Sequence, residues 1–280
     1  MPLDFTNNDF VPEKLQFDVE FERTKFDGKK YVINGTTGEY LGIVGSGFKC
    51  APHHKFYQDV YDTIVDQLDD ADTSNMTAKW TTVRNNAWVK ADIHLPNMRS
   101  RVTTDRHSTD IGSRIIALHG IDGSCSNMVW FGAIDFFCTN GMITGKYDSI
   151  KKKNTSRFSL DMFIKELKQN ATSFYDNVGM FQGWAETDFS RLDVKDLIER
   201  IVRSDRKALK MWELYNKEAA TRGRNKWALY SAFTNYASYA DEKNGFRLRE
   251  TGNDTVGETM WKREQEVAQW VDSAAFQMAA

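Results

Sequence analysis

All four prolines, Pro2, Pro12, Pro52 and Pro96, fall within the first 96 positions. From Asn97 to Ala280 every residue therefore keeps its backbone N–H, and nothing breaks a helix by lacking one. Along the same direction the apolar period changes from two to 3.6. Period two places alternate side chains on opposite faces of a strand, and period 3.6 builds the stripe of a core-facing helix. The combination predicts an α+β chain. A curved, mainly antiparallel sheet with one packed helix occupies about 1–145, and a mainly helical region, 146–280, packs on it as a second part or as one continuous domain.

The N-terminal pattern is specific. Leu15, Phe17, Val19 and Phe21 alternate with Gln16, Asp18, Glu20 and Glu22, as a half-solvated strand requires. Tyr31–Ile33 and Tyr40–Val44 flank Asn34-Gly35-Thr36-Thr37-Gly38, a hairpin whose glycines supply positive φ. Pro52 to Asp70 reads as a helix, with Phe56, Val60, Ile64 and Leu68 on one face and Asp59, Asp62, Asp66 and Asp69 on the other. That acidic stripe reads as a solvated face, because no further ligand joins it to make a metal site. His53 and His54 are neighbours and point apart, which argues against a shared metal. Trp80–Val83 and Ala87–Leu95 read as strands, the second with Trp88, Lys90, Asp92 and His94 opposite its apolar face. Asn97–His107, carrying Arg99, Arg101 and Arg106, reads as a mobile basic loop or an edge ribbon. Ser113–Gly120 and the nearly continuous apolar run Met128–Cys138 are two strong strands, with Gly132 marking a bulge or bend.

After the Asn140-Gly141 turn, Lys146 and Lys151-Lys152-Lys153-Asn154-Thr155-Ser156-Arg157 show no apolar period and read as a basic connecting loop. Ser159 is a candidate N-cap for a helix carrying Leu160, Phe163, Ile164 and Leu167. Further helices follow over Asp193–Val202, from Ser204 or Asp205 to Gly223, over Lys226–Tyr239, and after Gly257.

Charge is unevenly spread. Residues 1–145 hold 14 basic and 19 acidic side chains, leaving 23 and 20 for the remainder of a chain whose net charge is -2. Within 195–226, ten basic groups meet five acids, which raises a polyanion-binding face as an alternative to an ordinary solvated one. Cys50, Cys125 and Cys138 are too few and too dispersed for a disulfide framework or a zinc site, so no cofactor and no metal are expected. The start, MPLDFTNNDF, has neither a basic region nor an apolar one of the kind a signal peptide needs, and no run suits a membrane span. A cytoplasmic setting is the expectation. Phosphate-loop, dinucleotide, GxSxG, HExxH and paired CxxC signatures are all absent. Cys138 with His119 is conceivable as a nucleophile pair, but a cysteine in such an apolar run is more often a small core residue.

Four segments in order carry a resemblance: the hairpin Lys30–Gly45, Leu118-His119-Gly120-Ile121-Asp122-Gly123-Ser124, Phe136–Met142 with its Cys138-Thr139-Asn140 turn, and Trp227–Tyr236. Together they resemble the phage- and plasmid-like family of unknown function, the YafZ-like proteins, over roughly 31–271. The chain departs from that pattern at Phe136 and Phe137, where a basic residue is common, and at Ser231 and Asn235. The resemblance implies a protein carried by phages, prophages or plasmids that serves replication, recombination or defence.

Joined to the residues, this gives the expectation of a non-enzymatic protein that binds single-stranded DNA in replication or annealing, with self-association as a further expectation. A basic groove with aromatic faces suits single strands. The candidate contacts are Lys151, Lys152, Lys153, Arg157, Arg99, Arg101 and Arg106, with Trp80, Trp88 and Tyr147 as stacking platforms. The rival expectation is an anti-defence protein that binds a host protein, its acidic helix face imitating a row of phosphates. A metal-dependent nuclease is the third and weakest reading.

Overall fold

A computed structural model describes residues 10–125, 127–135, 141–143, 150–152, 160–239 and 255–279. The chain is α+β, with two antiparallel sheets and a helical C-terminal region. It divides into two compact units, each assembled from three stretches: 1–97, 115–131 and 148–171 in the first, and 98–114, 132–147 and 172–280 in the second.

The first unit opens with a 3-10 turn, Glu13–Leu15, and strands β1 (Val19–Arg23), β2 (Lys29–Asn34) and β3 (Tyr40–Gly45), which pair in that order. The expected strand thus starts later than its alternation suggested. Leu15 and Phe17 are buried, yet they precede the ladder, whose first pair is Val19 with Asn34. Gly38 has the positive φ expected of the hairpin. Gly35 does not; instead its amide donates to the Asp18 carbonyl at 2.8 Å, and a side chain there would crowd that same oxygen. One face of this sheet joins a core of Phe17, Val32, Leu41, Val44, Ala87 and Ile121.

Helix α1 (His53–Gln67) ends three residues before the expected Asp70. Leu68 turns extended, and a separate short helix, α2 (Asp70–Thr73), follows. The helix buries Phe56, Tyr57, Val60 and Ile64, as its period requires. Tyr57 packs edge-on against Trp80 at 4.7 Å, and its hydroxyl donates to the Val89 carbonyl at 2.5 Å.

The second sheet contains β4 (Thr77–Val83), β5 (Trp88–Thr103), β6 (Ser108–Gly120), β7 (Asn127–Asp135) and β8 (Gly141–Ile143) in that order. A short strand, β9 (Ile150–Lys152), also pairs with β7. The face of β5 opposite its apolar residues is largely buried. Lys90 and Asp92 are buried there, and His94 contacts the Asp92 carboxylate at 3.0 Å. Gly132, expected at a bulge or bend, pairs in register with Ile143.

The second unit holds most of the helices: α3 (Leu160–Glu186, from Thr172 onward in this unit), α4 (Val194–Val202), α5 (Asp205–Arg222), α6 (Lys226–Ser238), α7 (Thr255–Asp272) and α8 (Ala274–Gln277). Asp193 caps α4 by accepting from the Asp196 amide at 3.1 Å. Helix α6 is buried from Lys226 through Thr234, the condition that a helix apolar on most sides needs. Its Trp227 and Tyr230 stack into a cluster with Phe181 and Trp184. Two ion pairs lie in this unit's interior, Arg114 with Glu264 at 2.9 Å and Arg222 with Asp135 at 2.7 Å.

Candidate nucleic-acid interface

The stretch Asn97–His107 is a ribbon. Strand β5 continues to Thr103, a turn follows, and β6 returns from Ser108. In the second unit, alternation along β5 buries Met98 and Val102 and exposes Arg99, Arg101 and Thr103. Two residues on one strand face are about 6.8 Å apart, comparable to the reach between neighbouring phosphates of an extended strand. Arg101, 66% exposed, donates to Asp110 on β6 at 2.8 Å. That hydrogen bond raises the Arg101 pKa and holds the Asp110 carboxyl below its ordinary value, with the nearby Arg99 charge adding to the second effect. The pair is surface-screened and adds little stability, but it leaves the stripe one positive charge in excess.

The turn is built to hold its shape. The Thr104 amide donates to the His107 carbonyl at 2.7 Å, and the Thr104 hydroxyl accepts from the amides of Arg106 and His107. Gln182 of α3 clasps the Thr103 backbone: its carbonyl oxygen accepts from the amide at 2.8 Å and its NH2 donates to the carbonyl at 3.1 Å. Arg106 is therefore presented from a fixed backbone.

Beside the turn lies a groove of about 640 Å³ whose walls include Arg106, Glu186, Asp188, Arg224 and Asn225. Its floor is set by the end of α5. Arg222 is 1% exposed and donates to Asp135 and Glu218, and the Asp135 carboxylate also accepts from the Thr109 hydroxyl at 2.6 Å. Gly223 then adopts φ +87, a backbone shape that a side chain would strain. Asn225 caps α6 by accepting from the Ala228 amide and donates to the Arg222 carbonyl. The Phe189 amide bonds the Arg224 carbonyl at 2.8 Å, fixing this junction as well. Asp188 is held below its ordinary pKa, first by hydrogen bonds from Ser190 and then by Arg191 and Arg224.

The remaining sequence candidates are placed as follows. Lys151 and Lys152 lie not in a loop but on β9, opposite Met128 and Asn127 of the first unit. Lys153, Arg157, Tyr147 and Cys138 lie outside the described residues, as does Ser159. Trp88 is 4% exposed and belongs to the core, so its indole offers no platform to a base. Trp80 is half-buried between Tyr57 and Phe10. The basic run 195–226 does not form a bare cationic face. Arg222 and Lys226 are buried, and Arg200, Lys207 and Lys210 pair with Asp196, Glu266 and Glu213. The acidic residues Asp59, Asp62, Asp66 and Asp69 are exposed, and the Asp59 carboxyl is pushed up by partial burial and by Asp62.

A buried histidine pair in the first unit escaped the sequence reading. His53, at the start of α1, and His119, near the end of β6, face each other with Nδ1 atoms 2.8 Å apart. His53 Nε2 bonds the Asn86 carbonyl at 2.8 Å. A carbonyl only accepts, so this Nε2 carries the proton, His53 Nδ1 accepts, and His119 Nδ1 donates. Both rings are neutral. Burial drives the His53 pKa down to about 4 and that of His119 well below its ordinary value, with His53 adding to the latter. Asn86 ends a run of three residues, Arg84, Asn85 and Asn86, all at positive φ. Arg84 reaches the Asp122 carboxylate at 3.4 Å, in the same Asp-Gly-Ser element that carried the family resemblance. Asp122 also accepts from the Ser124 amide and hydroxyl, and Gly123 has φ +76. Gly42 of β3 lies against Asp122 so closely that a Cβ would stand 2.9 Å from the aspartate Cβ.

Comparison with known proteins gives one family. The model described as "Domain of unknown function (DUF932)" matches residues 40–279. No curated protein matches, and no solved structure matches.

Proposed function

Since the chain belongs to the family of the domain of unknown function DUF932, we propose that it is a non-enzymatic nucleic-acid-binding protein that holds the backbone of single-stranded DNA, acting in replication or annealing. Within the family we place it with the phage- and plasmid-borne YafZ-like proteins and assign it to the cytoplasm of the host cell. Among the described residues no helix is long and apolar enough to cross a membrane. The observation that carries the reading is the β5–β6 ribbon, where Arg99 and Arg101 stand exposed on one strand face and Arg106 projects from a braced turn. Such contacts grip phosphates and position a strand without reading its bases.

Replacing Arg99, Arg101 and Arg106 together with glutamine is expected to weaken binding of all oligonucleotide sequences alike. Each lost phosphate contact removes about 0.7 from the salt slope for single strands, so the slope should flatten by about 2. Fluorescence anisotropy across a salt series measures this. Parent-like affinity in the folded variant would remove the ribbon from the interface. The companion variant, with Lys151, Lys152, Lys153 and Arg157 replaced, tests the tract in and after β9 in the same way.

One observation favours the second reading, a host-protein partner. On the outer face of the first sheet Tyr40 is 60% exposed against Tyr31 at 4.9 Å, and Ile43 is 49% exposed beside them. Glu20 and Glu22 share that face across β1 and β2. An apolar face rimmed by carboxylates suits a protein surface better than a phosphate backbone.

A further inference from the structure

The groove of the second unit contains two exposed guanidinium groups from separate elements. Arg106 and Arg224 both line it, and both are exposed. Neither forms an ion pair among the described residues; Arg224 lies over the Tyr215 ring at 5.9 Å, and its charge adds to the stabilisation of the Asp188 carboxylate. The other polar groups of the walls are largely committed. Gln182 clasps Thr103 and bonds Glu186, Ser190 bonds Asp188, and Asn225 is spent on the α6 cap. Asp105 is the acid in the wall with no such commitment, and it stands on the turn beside Arg106. Two cations from separate elements, each on a backbone fixed by hydrogen bonds, flank a volume of about 640 Å³, within the range of small-molecule sites.

We propose that this groove is a phosphate-ester site, with Arg106 and Arg224 as the two groups that grip the phosphate. Guanidinium is the side chain suited to this task, because its fork of donors matches phosphate oxygens and its charge does not titrate. Gly223 keeps the floor clear between them. Its absent side chain would meet the Asn225 amide at 3.4 Å and the Arg106 stem at 4.0 Å. The buried Arg222–Asp135 pair beneath supplies no free charge to the ligand and serves to hold the junction in place. The inference rests on the nucleic-acid reading only for the source of the phosphate, either an internal backbone phosphate or a strand end. The site itself stands on the groove.

Titration calorimetry with thymidine 5′-monophosphate, and with thymidine as the control, tests the site directly. The monophosphate is expected to bind and thymidine to bind at least about tenfold more weakly, since the charge-assisted contacts go to phosphate. Arg106→Gln and Arg224→Gln should each lower monophosphate affinity about tenfold. Arg200→Gln, on α4 outside the groove walls and paired with Asp196, should leave it unchanged. Absence of monophosphate binding to the parent, or binding indifferent to both groove variants, overturns the inference. The two sources separate with oligothymidylates of equal length. A gain on 5′-phosphorylation that Arg224→Gln abolishes assigns the site to a strand end; equal loss for both oligonucleotides assigns it to the backbone. If oligonucleotides bind the parent and no monophosphate does, the groove inference falls while the ribbon reading stands. If the monophosphate binds and oligonucleotides do not, the nucleic-acid reading falls and the groove remains a site for small phosphate esters.

Discussion

Asp135→Ala should lower the unfolding free energy by about 3 kcal/mol, because it removes the buried carboxylate from a buried guanidinium and leaves it the Glu218 partner at its Nε. Asp135 and Arg222 are each 1% exposed in side chain and meet at 2.7 Å. Loss of the carboxylate also leaves the Thr109 hydroxyl without the acceptor it now has at 2.6 Å. Urea unfolding measures the effect as a lower midpoint at an unchanged slope. Removing both partners in Asp135→Leu/Arg222→Met should cost less than the two single changes added together, since no uncompensated charge is then buried. A single Asp135→Ala cost below 1 kcal/mol would show that water reaches this pair and that the floor of the groove is softer than its geometry indicates. The pair bears on the proposed groove through position. It anchors the last turn of α5, from which Gly223 and Arg224 depart.

Acid should destabilise the protein before its carboxylates are protonated. The His53 pKa is about 4 in the folded chain against an ordinary 6.5, so the folded form resists a proton that the unfolded form accepts. Stability from this source is complete above pH 6.5 and falls as pH drops from 6.5 toward 4. Each pH unit in that window removes about 1.4 kcal/mol per histidine, so His53 alone withdraws about 3 kcal/mol. His119, shifted in the same direction, adds to the loss. Denaturant unfolding at several pH values across this window gives the curve. In the double variant His53→Gln/His119→Gln neither side chain titrates, and the fall should be shallower by at least that amount. An equally steep fall in the double variant would place the acid sensitivity elsewhere.

How far the sequence foretold this molecule depends on which physical signal each feature left. The glycine turn between two apolar runs located β2 and β3, alternation located β5, and recurrence at every fourth residue located α1, because turn chemistry and one-sided burial both leave patterns that a single chain displays. The same signal cannot say whether a polar face meets water. Lys90 and Asp92 stand opposite the apolar face of β5 in the alternation, and both are buried. Leu15 and Phe17 kept strand periodicity while lying before the ladder, since two buried residues suffice to continue an alternation. The basic stretch Arg99–Arg106 was legible as a ribbon or a loop, and pairing with a neighbouring strand decided between them. Arg224 was visible only as one member of a basic run. What distinguishes it from Arg200, Lys207 and Lys210 is that those found acidic partners across or along helices. His53 and His119 are 66 residues apart, and Asp135 and Arg222 are 87 apart. Pairings of that kind follow from the fold and leave no local pattern. Trp88 shows the converse, because an indole's ability to stack on a base is carried by its residue type whereas its exposure is not.

If this chain holds single-stranded DNA by its phosphates, the salt dependence of binding is the most direct readout of it. Fluorescence anisotropy of a labelled mixed-sequence oligonucleotide, titrated with the parent protein at rising salt, should give micromolar or weaker affinity at low salt. The logarithm of the binding constant should fall linearly with the logarithm of salt concentration, as release of counterions from phosphates requires. No binding at low salt, or binding indifferent to salt, would contradict the account and turn attention to the exposed Tyr31, Tyr40 and Ile43 face as the surface for a protein partner.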